Sequence, residues 1–147
     1  MKPFRLLFFF LLLCAPLAHA WDRPEMARYG AAYAGPGLLR LYVAHTKADD
    51  YAVLKIQGIN HPLDQHVYWA KVRYQEGRPE RISYVIAEKN AERVVFFVNG
   101  DSGTLGIPNY HGQPLVELGF SYDKRESALT APEHLLTDYE RQIGVIE

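Results

Sequence analysis

Histidine and carboxylate side chains lying close together are the residues of this chain best equipped to bind a metal or move a proton. His61, Asp64 and His66 fall within six positions, and imidazole nitrogen and carboxylate oxygen are both competent zinc ligands. All three would have to come from one turn that Pro62 restricts, and a site also needs a further ligand and an ordered surround. Asn60, Pro62 and Asp64 are ordinary turn formers as well. The expectation is a turn: His61, Asp64 and His66 are weak metal candidates, with no metal or other cofactor assigned. A second set is spread along the chain: His45, Lys47, Asp49 and Asp50, then Arg78, then Asp101, Ser102, Asn109, Tyr110 and His111. These residues make one surface only if the strands between them bring their loops to the same end.

Gly100-Asp101-Ser102-Gly103 resembles the four residues around the nucleophile of trypsin-like serine proteases. The resemblance covers those four residues alone. That chemistry needs a histidine base and an orienting carboxylate on a two-barrel scaffold, for which this chain is too short, and no Ala-Ala-His-Cys segment accompanies the motif. A Gly-rich turn after a strand is expected instead. No catalytic residue is assigned.

The N-terminus carries Lys2 and Arg5, an apolar stretch from Leu6 to Leu13, and Ala18-His19-Ala20 before Trp21. A basic start, a short apolar core and small residues at −3 and −1 predict a secretory signal peptide over 1–20, cleaved after Ala20. The stretch is too short to span a bilayer. Lipid attachment at Cys14 is disfavoured because Leu13 stands where that signal wants a small residue. Cleavage removes Lys2, Arg5 and the lone cysteine but no acid, leaving 14 basic and 17 acidic side chains. A net charge of −3 argues against non-specific nucleic-acid binding. Without cysteine, thiol nucleophiles, redox motifs and Cys₄ zinc sites are excluded, and residues 21–147 must be held as one domain by their core.

The elements follow from periodicity. Val94-Val95-Phe96-Phe97-Val98 is the only run of five apolar residues after residue 20. It reads as a strand covered on both sides, Val94, Phe96 and Val98 facing one way, Val95 and Phe97 the other. Alternation predicts further strands at Leu38 to Val43, Tyr51 to Gln57, His66 to Tyr74, Arg81 to Ile86 and Leu115 to Tyr122, with Trp21 to Gly37 an irregular leader. Asn99 to Gln113, rich in glycine, reads as a long functional loop or as the home of one more strand around Thr104 to Ile107. Thr130-Ala131-Pro132-Glu133 has capping-box form, and Leu135, Tyr139 and Ile143 follow at helical spacing. This helix is the expected cover for Val95 and Phe97. Tyr42, Tyr51 and Trp69 fall on outer faces and become informative if they cluster.

Short turns favour antiparallel neighbours. The expected fold is mainly β: a meander of six or seven strands, as an open sheet, sandwich or small barrel, with a short C-terminal helix. In a meander the turns alternate between two ends, so His45, Asp49, Asp50, Arg78, Asp101, Asn109, Tyr110 and His111 are expected to share one end and bind there. An extra strand inside the glycine-rich segment would change that parity. The functional expectation is an exported domain, periplasmic or secreted, that binds a protein partner or small ligand, with no nucleic acid and no membrane span after cleavage. The alternatives are a small hydrolase using a histidine-containing loop and a barrel carrying an apolar ligand.

Overall fold

A computed structural model describes residues 21–147, and the expected signal peptide and Cys14 lie outside that range. Eight strands follow one another: β1 (Ala31–Ala34), β2 (Arg40–His45), β3 (Tyr51–Gln57), β4 (Val67–Gln75), β5 (Arg78–Glu88), β6 (Ala91–Asn99), β7 (Ser102–Tyr110) and β8 (Gln113–Tyr122). Two helices complete the chain, α1 (Lys124–Leu129) and α2 (Pro132–Gln142). Each strand pairs antiparallel with the next, and β8 also pairs with β1 through Tyr33↔Tyr122 and Ala34↔Ser121. The meander therefore closes into a barrel. Closure leaves inward-facing side chains to fill the interior and outward ones to meet solvent or a covering element.

The strand number is eight rather than six or seven. The two additions are β1, inside the expected irregular leader, and β7, inside the glycine-rich segment. In β7 the glycines serve packing. A Cβ on Gly103 would sit 2.3 Å from Cζ of Phe96, a ring with no exposed surface, so the strand passes close over that ring because it lacks a side chain there. The interior holds Tyr33, Leu41, Leu54, Ile56, Tyr84, Phe96, Leu105, Ile107 and Phe120. Tyr33, Tyr84 and Phe120 each place a ring within 6.0 Å of that of Phe96. The barrel interior is a packed core.

The five-residue apolar run is a strand, but its faces differ from simple alternation. Tyr84 pairs with Phe96 and Val85 with Val94, which leaves Val95 as a bulged residue. A bulge resets the alternation. Val95 and Phe96 are consequently both buried, Val94 is 49% exposed, and Phe97 is half-buried. Nor does the C-terminal helix lie over them. α2 packs on the outer faces of β2, β3 and β4, burying Leu135 and Leu136 against Met26, Ala44, Val53 and Val67. Gln142 ties its end to β4, accepting from Val67 N–H at 2.8 Å and donating to Val67 C=O at 2.7 Å.

The expected capping box at Thr130 does not form. Thr130 closes α1, donating its hydroxyl to the Glu126 carbonyl at 2.9 Å, and α2 begins at Ala131 with no side-chain cap. The side-chain N-cap is Asp123, whose Oδ1 accepts from Glu126 N–H at 3.0 Å. α1 seals the short β8–β1 ladder: Ser127 Oγ accepts from Ala32 N–H at 2.8 Å and donates to Ala32 C=O at 3.3 Å. No helix among the described residues is long and apolar enough to cross a membrane.

Candidate functional site

Closing the barrel with eight strands sorts the loops into two groups. At one end, the mouth, stand the β2–β3 loop with Lys47, Asp49 and Asp50, the β4–β5 turn beside Arg78, and the β6–β7 turn with Asp101 next to Ser102. At the other end, the base, stand the β3–β4 connection with His61 and Asp64 and the β7–β8 turn with His111. The expected single cluster is therefore split: His45, Asp49, Asp50, Arg78 and Asp101 share the mouth, while Asn109, Tyr110 and His111 are at the base. β7 is the reason, since one more crossing carries the chain from Ser102 to Tyr110 along the whole barrel.

The base residues hold one another. His61 Nδ1 accepts from Leu63 N–H at 3.1 Å, which leaves Nε2–H to donate to the Asn109 carbonyl at 3.3 Å. Its ring stands edge-on to Tyr110, centroids 5.6 Å apart. Asp64 Oδ1 accepts from the N–H groups of Gly58 (2.7 Å) and Ile59 (3.3 Å), fixing the turn. His66 lies edge-on to Tyr68 at 4.5 Å, and burial lowers its pKa. Both nitrogens of His61 and one oxygen of Asp64 are thus committed to backbone groups. Among the described residues, no three His, Cys, Asp or Glu side chains are placed to hold a metal.

At the mouth, a chain of hydrogen bonds runs from the barrel interior to the surface. Tyr84, 2% exposed, bonds His45 Nε2 through its hydroxyl at 2.8 Å. His45 Nδ1 meets Asp49 Oδ1, and Tyr74 donates its hydroxyl to Asp49 Oδ2 at 2.7 Å. Partial burial raises the Asp49 carboxyl, but the hydrogen bonds from His45 and Tyr74 outweigh it and hold the group below the usual carboxylate range. Asp49 is thus an acceptor on both oxygens, so Nδ1 of His45 carries the proton of that contact, while Nε2 is engaged by the Tyr84 hydroxyl. Burial, followed by the hydrogen bond and charge of Asp49, pushes the Tyr74 phenol up to about 12. Burial, followed by charge interactions with Tyr33, Tyr74 and Asp49, raises Tyr84 further. Asp49 adopts a left-handed φ of 61°, a conformation Asp tolerates and β-branched residues do not. The network holds this turn in shape.

Beside it lies an open cleft of about 460 Å³, lined by Pro24, Glu25, Thr46, Lys47, Ala48, Asp50, Tyr51 and Trp69. One wall is a stack in which Tyr51 and Tyr139 each lie near-parallel to Trp69, centroids 5.2 and 5.6 Å away, while Trp21 meets Trp69 edge-on. Tyr42 packs against the same cluster. The outer-face aromatics do cluster, and most of them fasten α2 and the N-terminal segment to the barrel. The N-terminal segment forms the other wall. Ala27 N–H donates to the His45 carbonyl, Lys47 N–H donates to the Glu25 carbonyl, and Lys47 Nζ pairs with Glu25 at 2.7 Å. Asp50 accepts from the Thr46 hydroxyl at 2.9 Å.

Sequence reasoning found His45, Asp49 and Asp50 but missed Tyr74, Tyr84, Pro24 and Glu25. Tyr84 was legible as an inward strand residue; its meeting with His45, 39 positions away, depends on barrel register. Arg78 is exposed at the start of β5, and Asp101 occupies a two-residue turn whose first residue, Gly100, has the positive φ such hairpins require. Neither joins the network. Compared with family models, curated proteins and solved structures, the chain matches none.

Proposed function

We propose that this protein is an exported binding domain that engages a protein partner through the cleft between its N-terminal segment and the β2–β3 loop. One observation carries the reading: an aromatic-walled cleft stands on a turn braced at Asp49 by His45 and Tyr74. Preorganised loops on a rigid sheet reduce the ordering cost of association, and aromatic walls provide the contact area. A cleft this open suits a side chain inserted from a partner. The packed interior disfavours an internal apolar ligand. Hydrolysis through His45 is disfavoured because both of its nitrogens are engaged, one of them with the buried Tyr84. Export is supported by the N-terminal pattern, and the net charge disfavours nucleic acid.

Ala48 is exposed and lines the cleft, so Ala48→Arg plugs it without touching the core. Capture from cell-envelope extract with the wild type should yield one stoichiometric partner that Ala48→Arg loses. A partner retained by a folded Ala48→Arg protein would place binding elsewhere.

A further inference from the structure

The β6–β7 seam of the closed barrel is paired over only part of its length, and it lies across the strand ring from the cleft and from α2. β6 pairs with β7 only from Phe96↔Leu105 to Asn99↔Ser102. Towards the base the pairing stops: Ala91, Glu92, Arg93 and Val94 pair with β5 alone, and Gly106, Ile107, Pro108 and Tyr110 pair with β8 alone. The pairing stops beside the bulge at Val95; the strands are still close there, Val95 O lying 3.9 Å from a Cβ placed on Gly106, and the unpaired stretch begins at Val94 and Ile107. Other short ladders here are closed by side chains, Ser127 serving Ala32 and Gln142 serving Val67. Along this seam, the one side-chain bond to β7 backbone among the described residues is from His61 to the Asn109 carbonyl.

A groove of about 330 Å³ opens outward over the seam, lined by Val94, Val95, Phe97, Thr104, Gly106, Leu115 and Glu117. Val94 and Leu115 are 49% and 50% exposed. Gly106 keeps the floor low, because a Cβ there would press on Leu115 at 3.3 Å. Glu117 is the only charged group in this lining, and it has no ion-pair partner among the described residues.

We infer that this seam is a docking site for an extended segment of a partner protein, which pairs its backbone with the β6 and β7 edges and sets a lysine or arginine against Glu117. Unpaired strand edges are templates for an added strand, and alternate side chains of that strand enter the groove. The exposed valine and leucine call for apolar residues at those positions, and the solitary carboxylate calls for a cation. Pro108, which lacks an N–H, and Asn109, with φ 52°, interrupt the β7 edge towards the base, so the paired stretch is short.

The probe is the peptide acetyl-Val-Lys-Val-Thr-Val-Lys-Val-amide, titrated into the purified protein and followed by amide NMR and hydrogen exchange. In the free protein the amides of Val94 and Ile107 should exchange faster than those from Phe96 to Val98. Peptide should shift and protect Val94, Val95, Gly106 and Ile107, and a version with proline at the central position should not. Glu117→Lys should weaken binding about tenfold, the scale of one interfacial charge pair. Glu117 is exposed, so the variant should fold. The inference is overturned by an absence of shifts at the seam, by equal affinity for Glu117→Lys, or by protection that rises with protein concentration without peptide, since a second copy would then be the occupant. Loss of the envelope partner on Ala48→Arg is independent of all these outcomes.

Discussion

Removing Arg23 should destabilise the protein far more than its surface position suggests, because of what it neutralises. Glu140 on α2 has a side chain only 2% exposed, and its carboxylate has two partners, the Arg23 guanidinium and Trp21 Nε1–H at 2.9 Å. Arg23→Ala leaves a buried charge with one neutral donor. Breaking a fully buried pair from one side costs about 3–5 kcal/mol. Arg23 is itself 41% exposed, so water screens and partly replaces it, and the expected loss is reduced to about 2 kcal/mol. The double variant Arg23→Ala with Glu140→Leu removes the charge along with its partner. It should recover about 1 kcal/mol relative to Arg23→Ala alone, because an apolar group of similar volume carries no desolvation penalty. Urea unfolding followed by tryptophan fluorescence reports both values, provided m is unchanged. An Arg23→Ala protein within about 0.5 kcal/mol of wild type, the ordinary range for a surface change, would refute the argument. So would a double variant less stable than the single one.

Other expectations follow from packing and protonation. Gly103→Ala drives a methyl into the Phe96 ring and should cost about 1–3 kcal/mol by thermal or urea unfolding, whereas Gly119→Ala, with no atom within 4 Å of the added Cβ, should be near neutral in the same assay. Burial raises the Tyr33 phenol from 10.0 to about 12; a raised folded-state pKa gives stability that is complete below the unfolded value and lost as pH climbs from 10.0 to about 12. Tyr33→Phe removes that titration and should flatten the pH–stability curve in that window. Asp49 has the opposite sign: its lowered pKa gives stability present above the unfolded value and lost as pH falls through the folded one. Asp49→Asn, which tolerates the left-handed φ, should cost about 0.5–1 kcal/mol at neutral pH and converge with wild type in acid.

The parts of the fold that were legible in sequence are those where one physical signal dominates. Tyr51–Gln57 appears where expected because Ala52, Leu54 and Ile56 face the interior with Lys55 and Gln57 opposite, whereas Val53 on the outer face is covered by α2. The β6 run was legible as a strand but not as a bulge, since a bulge depends on its partner strand. β1 has only four residues, Ala31–Ala34, and three alanines carry no alternation. β7 was obscured by Gly103, Gly106 and Pro108, which count against a strand on propensity. Tertiary packing reverses the meaning of Gly103, because the space it leaves is filled by Phe96. The capping error has the same origin: Thr130 and Asp123 are both good capping residues, and only the positions of α1 and α2 decide which helix end each one serves.

The candidate site depended on a count. β1 comes before every loop in question, so missing it leaves the relative placement of those loops unchanged. β7 lies between Ser102 and Tyr110, so overlooking it moves Asn109, Tyr110 and His111 to the wrong end of the barrel. His45 and Asp49 survived because they are four residues apart, at the end of β2 and in the loop that follows it, where no register separates them. Their partners Tyr74 and Tyr84 arrive from β4 and β5 through two ladders, Tyr51↔Lys71 and Val72↔Tyr84. Those ladders also explain why the histidine–carboxylate pair is a brace. Tyr84 is locked beneath His45 by the packed core and engages its Nε2, while Asp49 engages Nδ1, so both ring nitrogens help to hold the loop. Beside that brace the mouth presents aromatic surface and the exposed Glu25, Lys47 and Asp50, the groups on which the proposed binding would draw.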